Sequence, residues 1–92
     1  MAGLLTSIGM TTQLLKYTDR LRQADQLIRM EATGTPRAFS QKLGISESYL
    51  YGILDEMKDL GLPLAYSKSK LTYVYTMPVR LRIEIDVVTF PK

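Results

Sequence analysis

The sequence predicts one α+β domain, mainly α, in which three helices precede a β-hairpin and a further strand. Three observations point there. Apolar residues recur at helical spacing from Met10 to Leu60. Two turn signals, "TGTP" at 33–36 and "LGIS" at 43–46, cut that stretch into three. After Pro63 the apolar period falls to two, as in strands.

Residues 1–12 are expected to form an N-terminal arm. Leu4, Leu5 and Ile8 suit either one helical turn packed on a neighbour or a loose segment. "MAGLLTSIGMTTQLLK" has no positive start and is broken by Thr, Ser and Gly, so it does not read as a signal peptide. The first helix is placed at 13–33, on a stripe that already begins at Met10 and runs through Leu14, Tyr17, Leu21, Ala24 and Ile28. Its simpler role is to pack on the core. A short seam with a second copy is the alternative, although three heptads is little for one. Gly34 is the expected stop.

The second helix is placed at 35–43. Thr35 suits the N-cap and Pro36 the first helical position. Phe39 and Leu43, four apart, form its buried face. Gly44 ends it. The third helix, 46–60, is capped by Ser46, with Ile45 stapled against Leu50, and it buries Leu50, Ile53, Leu54, Met57 and Leu60. Gly61 caps it and Pro63 blocks continuation.

Residues 64–76 predict a hairpin, with strand-rich runs at 64–67 and 71–76 around a polar turn. Tyr73 and Tyr75 share one face, assigned to the core. Residues 79–88 predict a half-buried strand. Val79, Leu81, Ile83, Ile85 and Val87 alternate there with Arg80, Arg82, Glu84 and Asp86, whose opposite charges could pair with a neighbouring strand.

Composition narrows the function. The chain has 92 residues, no cysteine and no histidine. A thiolate metal site, a disulfide framework, a thiol nucleophile and the usual general base are therefore missing. The nine acids have no motif spacing, and there is no glycine-rich phosphate loop. The expectation is a non-enzyme without cofactor, metal or small-molecule ligand, in a reducing cytoplasm. No apolar run reaches the ~18 residues of a membrane span. Net charge is +3, unevenly spread. Residues 1–45 and 61–92 each carry an excess of three basic side chains. Residues 46–60 carry Glu47, Asp55, Glu56 and Asp59 against Lys58 alone. The acidic island coincides with the third helix.

Phe39, Leu43, Gly44, Ile45, Leu50 and Ile53, followed by "GLPLAYSKSKLTYVYT", carry a resemblance. Residues 18–83 look like the winged helix-turn-helix domain, more narrowly the DeoR-type domains of bacterial regulators and mobile-element proteins. One position departs: Ser40 stands where the family usually has alanine, four residues before the turn glycine. The resemblance implies a three-helix helix-turn-helix core with the hairpin as a wing, and duplex DNA as the partner. It implies base contacts from the start of the third helix, where Glu47, Ser48 and Tyr51 are the candidates. Phosphate contacts would come from Arg37, Lys42, Ser46, Lys68 and Lys70. No Arg or Lys stands at the start of that helix for the commonest contact, to guanine. A protein partner docking on the acidic helix is the alternative, since winged helices also serve as interaction modules. The exposed apolar stripe and the last strand further predict a homodimer, with the first helix and arm as the favoured interface.

Overall fold

The computed structural model describes residues 2–91, with side chains described from Thr12 onward. Three helices, α1 (Ala2–Arg29), α2 (Pro36–Leu43) and α3 (Glu47–Asp59), precede an antiparallel hairpin of β1 (Leu64–Ser67) and β2 (Thr72–Tyr75). Tyr66 faces Tyr73 and Ser67 faces Thr72 across the ladder. Three helices followed by a two-stranded antiparallel sheet is a layout compatible with a winged helix. No helix among the described residues is long and apolar enough to cross a membrane.

α1 departs from expectation at both ends. Its backbone is helical from Ala2, so residues 2–12 continue the helix in place of an arm. The side chains of Leu4, Leu5 and Ile8 lie outside the described residues. Thr6, Ser7, Gly9, Thr11 and Thr12 disfavour helix by propensity, but a helix already nucleated from Gln13 onward extends through them without a new nucleation cost. At 28 residues the helix runs about 42 Å. Its C-terminal half meets the core: Leu21, Ala24 and Ile28 are buried, while Leu14 remains 50% exposed.

The other end stops at Arg29, ahead of Gly34. Glu31 takes the left-handed conformation there (φ 53°), and Glu31 and Ala32 donate back to Ile28 and Leu27. This is the paired-bond lock that glycine usually provides. Gly44 (φ 70°) and Gly61 (φ 99°) provide it for α2 and α3. Ending early frees Thr33 to reach the wing. Its N–H donates to Thr72 Oγ1 at 3.1 Å, and its Oγ1 accepts from the Tyr73 N–H at 2.8 Å. Both threonines are buried, so these bonds satisfy groups that water cannot reach.

The core gathers Phe39, Leu43, Leu50, Ile53, Leu54 and Met57 from α2 and α3 under α1, with Leu62, Leu64 and Tyr73 closing it from the wing. Leu60, expected among the buried residues, is exposed after the last turn of α3. Phe39 and Tyr66 both pack against Tyr73, ring centroids 5.7 and 5.0 Å away. Ser40 fits its buried position by donating its hydroxyl to the Arg37 carbonyl at 2.8 Å.

Residues 79–88 form no strand. A strand needs a ladder, and this segment is held by side chains of α1 instead. The buried Asp25 carboxylate is the main anchor. Its Oδ1 accepts from the Tyr75 hydroxyl at 2.7 Å and from the Leu81 N–H at 3.0 Å, and its Oδ2 accepts from Arg29 Nε at 2.9 Å. Arg22 adds a bond to the Ile83 carbonyl at 3.0 Å. Val79, Leu81 and Ile83 pack against the core, and the alternation then runs out into solvent at Ile85 and Val87. Burial, with the bond to Asp25 next, pushes the Tyr75 phenol well above its ordinary pKa.

Asp25→Ala should strand the Tyr75 hydroxyl and the Leu81 N–H together and lower stability by ~2–3 kcal/mol. Tyr75→Phe leaves Asp25 with its other two donors and should lower it by only ~1 kcal/mol. Urea unfolding of both variants checks the order, and equal losses would contradict it.

Candidate nucleic-acid interface

The turn between α2 and α3 sets the direction of the candidate surface. Gly44 donates to the Gln41 carbonyl at 3.1 Å, Ile45 donates to Ser40 at 3.0 Å, and the chain reverses into Ser46. Ser46 Oγ then accepts the Tyr49 N–H at 3.1 Å and caps α3. With that lone pair engaged, the Ser46 hydroxyl proton is still available to an acceptor. α3 buries Leu50, Ile53, Leu54 and Met57. Its opposite face carries Glu47, Ser48, Tyr51 and Asp55, all exposed.

The three base-contact candidates therefore share an open surface. Tyr51 is 48% exposed. It lies towards the wing: after burial, Tyr51 and then Tyr66 hinder ionisation of Tyr73. Glu47 also suits the helix N-terminus electrostatically, whatever it touches. The acidic residues Asp55, Glu56 and Asp59 occupy the C-terminal half of α3. The N-terminal half carries Glu47 alone.

The four basic phosphate candidates divide into two pairs. Arg37, in the first turn of α2, and Lys68, in the wing turn, are exposed and make no ion pair among the described residues. Lys42 and Lys70 turn inward. Lys42 Nζ donates to the Ala32 carbonyl at 2.6 Å, folding back along the α1–α2 connection. Lys70 Nζ pairs with Glu31 at 2.8 Å, bridging the wing to the end of α1. Both bonds are exposed. Pairs of that kind contribute about 0–1 kcal/mol, so either lysine can exchange its partner for another anion at small cost.

One further residue at this surface is not legible in the sequence. Arg20 lies 5.8 Å over the Tyr49 ring and brings a cation from α1 to the first turns of α3. By periodicity Arg20 falls on the solvent side of α1. Nothing in the sequence links it to a tyrosine 29 positions later. A groove of about 790 Å³ lies elsewhere, between the end of α1 and β2, lined by Arg29, Lys70, Tyr75 and Arg80 among others. Among the described residues no cluster of acidic side chains is suited to a metal ion.

Comparison with known proteins returns no family model, no curated protein and no solved structure that matches this chain.

The geometry separates two substitutions. A side chain added at Gly44 meets nothing within 4 Å, so Gly44→Val acts through the left-handed backbone alone and should cost over ~1 kcal/mol. Tyr51→Ala removes an exposed side chain and should stay within ~0.5 kcal/mol of the parent. Thermal unfolding decides. A large loss for Tyr51→Ala would mean its ring supports the wing.

Proposed function

We propose that this chain is a winged-helix protein, similar to the DeoR type, that binds duplex DNA as a dimer in a regulatory role. The observation that carries this reading is the open N-terminal half of α3. It presents Ser48 and Tyr51 beside two elements that each offer a cation with no ion pair among the described residues, Arg37 on α2 and Lys68 on the wing. In this mechanism the cations and the Ser46 hydroxyl hold the backbone, while Ser48, Tyr51 and Glu47 meet base edges, Glu47 accepting from a cytosine amino group. The acidic half of α3 points out of the groove, because helices of this type insert N-terminus first. Arg20 adds positive charge beside the inserted turn.

A titration with duplex DNA at several salt concentrations tests it. Log K should fall with log salt at a slope of roughly −2 per protomer if Arg37 and Lys68 alone neutralise phosphates, and nearer about −3.6 if Lys42 and Lys70 also exchange their partners. Tyr51→Ala should weaken binding to a preferred sequence and spare non-specific binding. A flat salt dependence, or no binding at low salt, would move the assignment to a protein partner. The exposed acids Glu47, Asp55, Glu56 and Asp59 would then meet a basic surface.

A further inference from the structure

The segment after the wing is the part of the molecule whose construction lacks a counterpart. In an extended chain, successive residues turn their N–H and C=O groups to alternate edges. Leu81 gives its N–H to Asp25 and Ile83 offers its C=O to Arg22, so α1 holds the odd-numbered edge. On the even-numbered edge, Arg80, Arg82, Glu84 and Asp86 make no main-chain to main-chain hydrogen bond among the described residues. Val79, Leu81 and Ile83 sit against the core, whereas Ile85 and Val87 continue the same apolar face at 56% and 87% exposure. Each chain thus has an anchored half and an unsupported half of one alternating segment.

The two halves complement each other. We propose that residues 79–87 pair antiparallel with the same residues of a second copy, about a two-fold axis at Ile83. Arg80 then stands opposite Asp86 of the second copy, and Arg82 opposite Glu84. All four are even-numbered, so the hydrogen-bonded pairs fall on the edge that α1 leaves free. On the other face, Ile85 lies beside the Leu81 that the second copy has docked on its own core, and Val87 beside its Val79. The unsupported half of each chain is covered by the anchored half of the other.

Charge selects this register. Moving the axis by one residue sets Arg82 opposite itself, or Glu84 opposite itself, and a parallel arrangement sets arginine beside arginine. The ion pair that Arg82 now makes with Glu84 of its own chain is exposed, so exchanging it for the same group on the second copy costs little. The proposal supplies an interface for the dimer of the reading above and rests on its dimeric part alone. Its test measures self-association without DNA, so the two can fail separately.

The test uses the full chain and two variants. One, Arg80→Glu with Arg82→Glu, has an all-acidic edge. The other, Glu84→Arg with Asp86→Arg, has an all-basic edge. All four side chains are exposed, and circular dichroism checks that each variant is folded. By analytical ultracentrifugation the parent should be a dimer. Each variant alone should self-associate at least about tenfold more weakly. An equimolar mixture should recover the parent's affinity as a heterodimer. A monomeric parent, variants that dimerise like the parent, or a mixture no tighter than its components would overturn the proposal.

Discussion

The buried carboxylate of Asp25 is the constraint on which the rest of this structure depends. A carboxylate taken out of water must have its oxygens filled, and α1 alone fills only one, through Arg29. The other oxygen is filled by the Tyr75 hydroxyl from β2 and the Leu81 N–H from the segment beyond the wing. One group therefore fixes three parts of the chain that are far apart in sequence. The wing cannot shift along α1 without unsatisfying it, and the C-terminal segment cannot leave for the same reason. The Thr33–Thr72 bonds make a second tie between wing and helices, through a connection that ends α1 early to reach it.

These ties leave α3 unencumbered. Tyr75, Leu81 and Ile83 are tied to α1, and Glu47, Ser48, Tyr51 and Asp55 on the outward face of α3 stay exposed. The basic residues divide accordingly. Lys42 and Lys70 fold back onto the Ala32 carbonyl and Glu31, while Arg37 on α2 and Lys68 in the hairpin turn make no ion pair among the described residues. That division gives the acidic helix a coherent place. Asp55, Glu56 and Asp59 lie in the half away from the capped turn, and Arg20 brings a positive charge over Tyr49 in the first turns.

Local chemistry made most of the fold legible in the sequence. Thr35, Gly44, Ser46 and Gly61 each take the cap or turn position that their backbone preferences indicated. The hairpin followed from the change of period, and the buried faces of α2 and α3 from spacing. What stayed hidden was non-local. The end of α1 depends on a glutamate in a conformation that glycine favours, because Thr33 is needed 39 residues away. Residues 79–88 alternate like a strand, yet in one chain they find α1 in place of a partner strand. The exposed face of α3 was readable from helical period, whereas the inward turn of Lys42 and Lys70 and the approach of Arg20 to Tyr49 were not. Long flexible side chains choose partners that spacing does not encode.

Amide hydrogen exchange at Leu81 tests the role of Asp25 most directly. In the parent, the Leu81 N–H should exchange far more slowly than that of Val87, whose bond is to an exposed neighbouring side chain. In Asp25→Ala, with the domain still folded, Leu81 should exchange as fast as Val87 while the amides of α3 keep their protection. A Leu81 amide that stays protected in that variant, or is unprotected in the parent, would contradict the account.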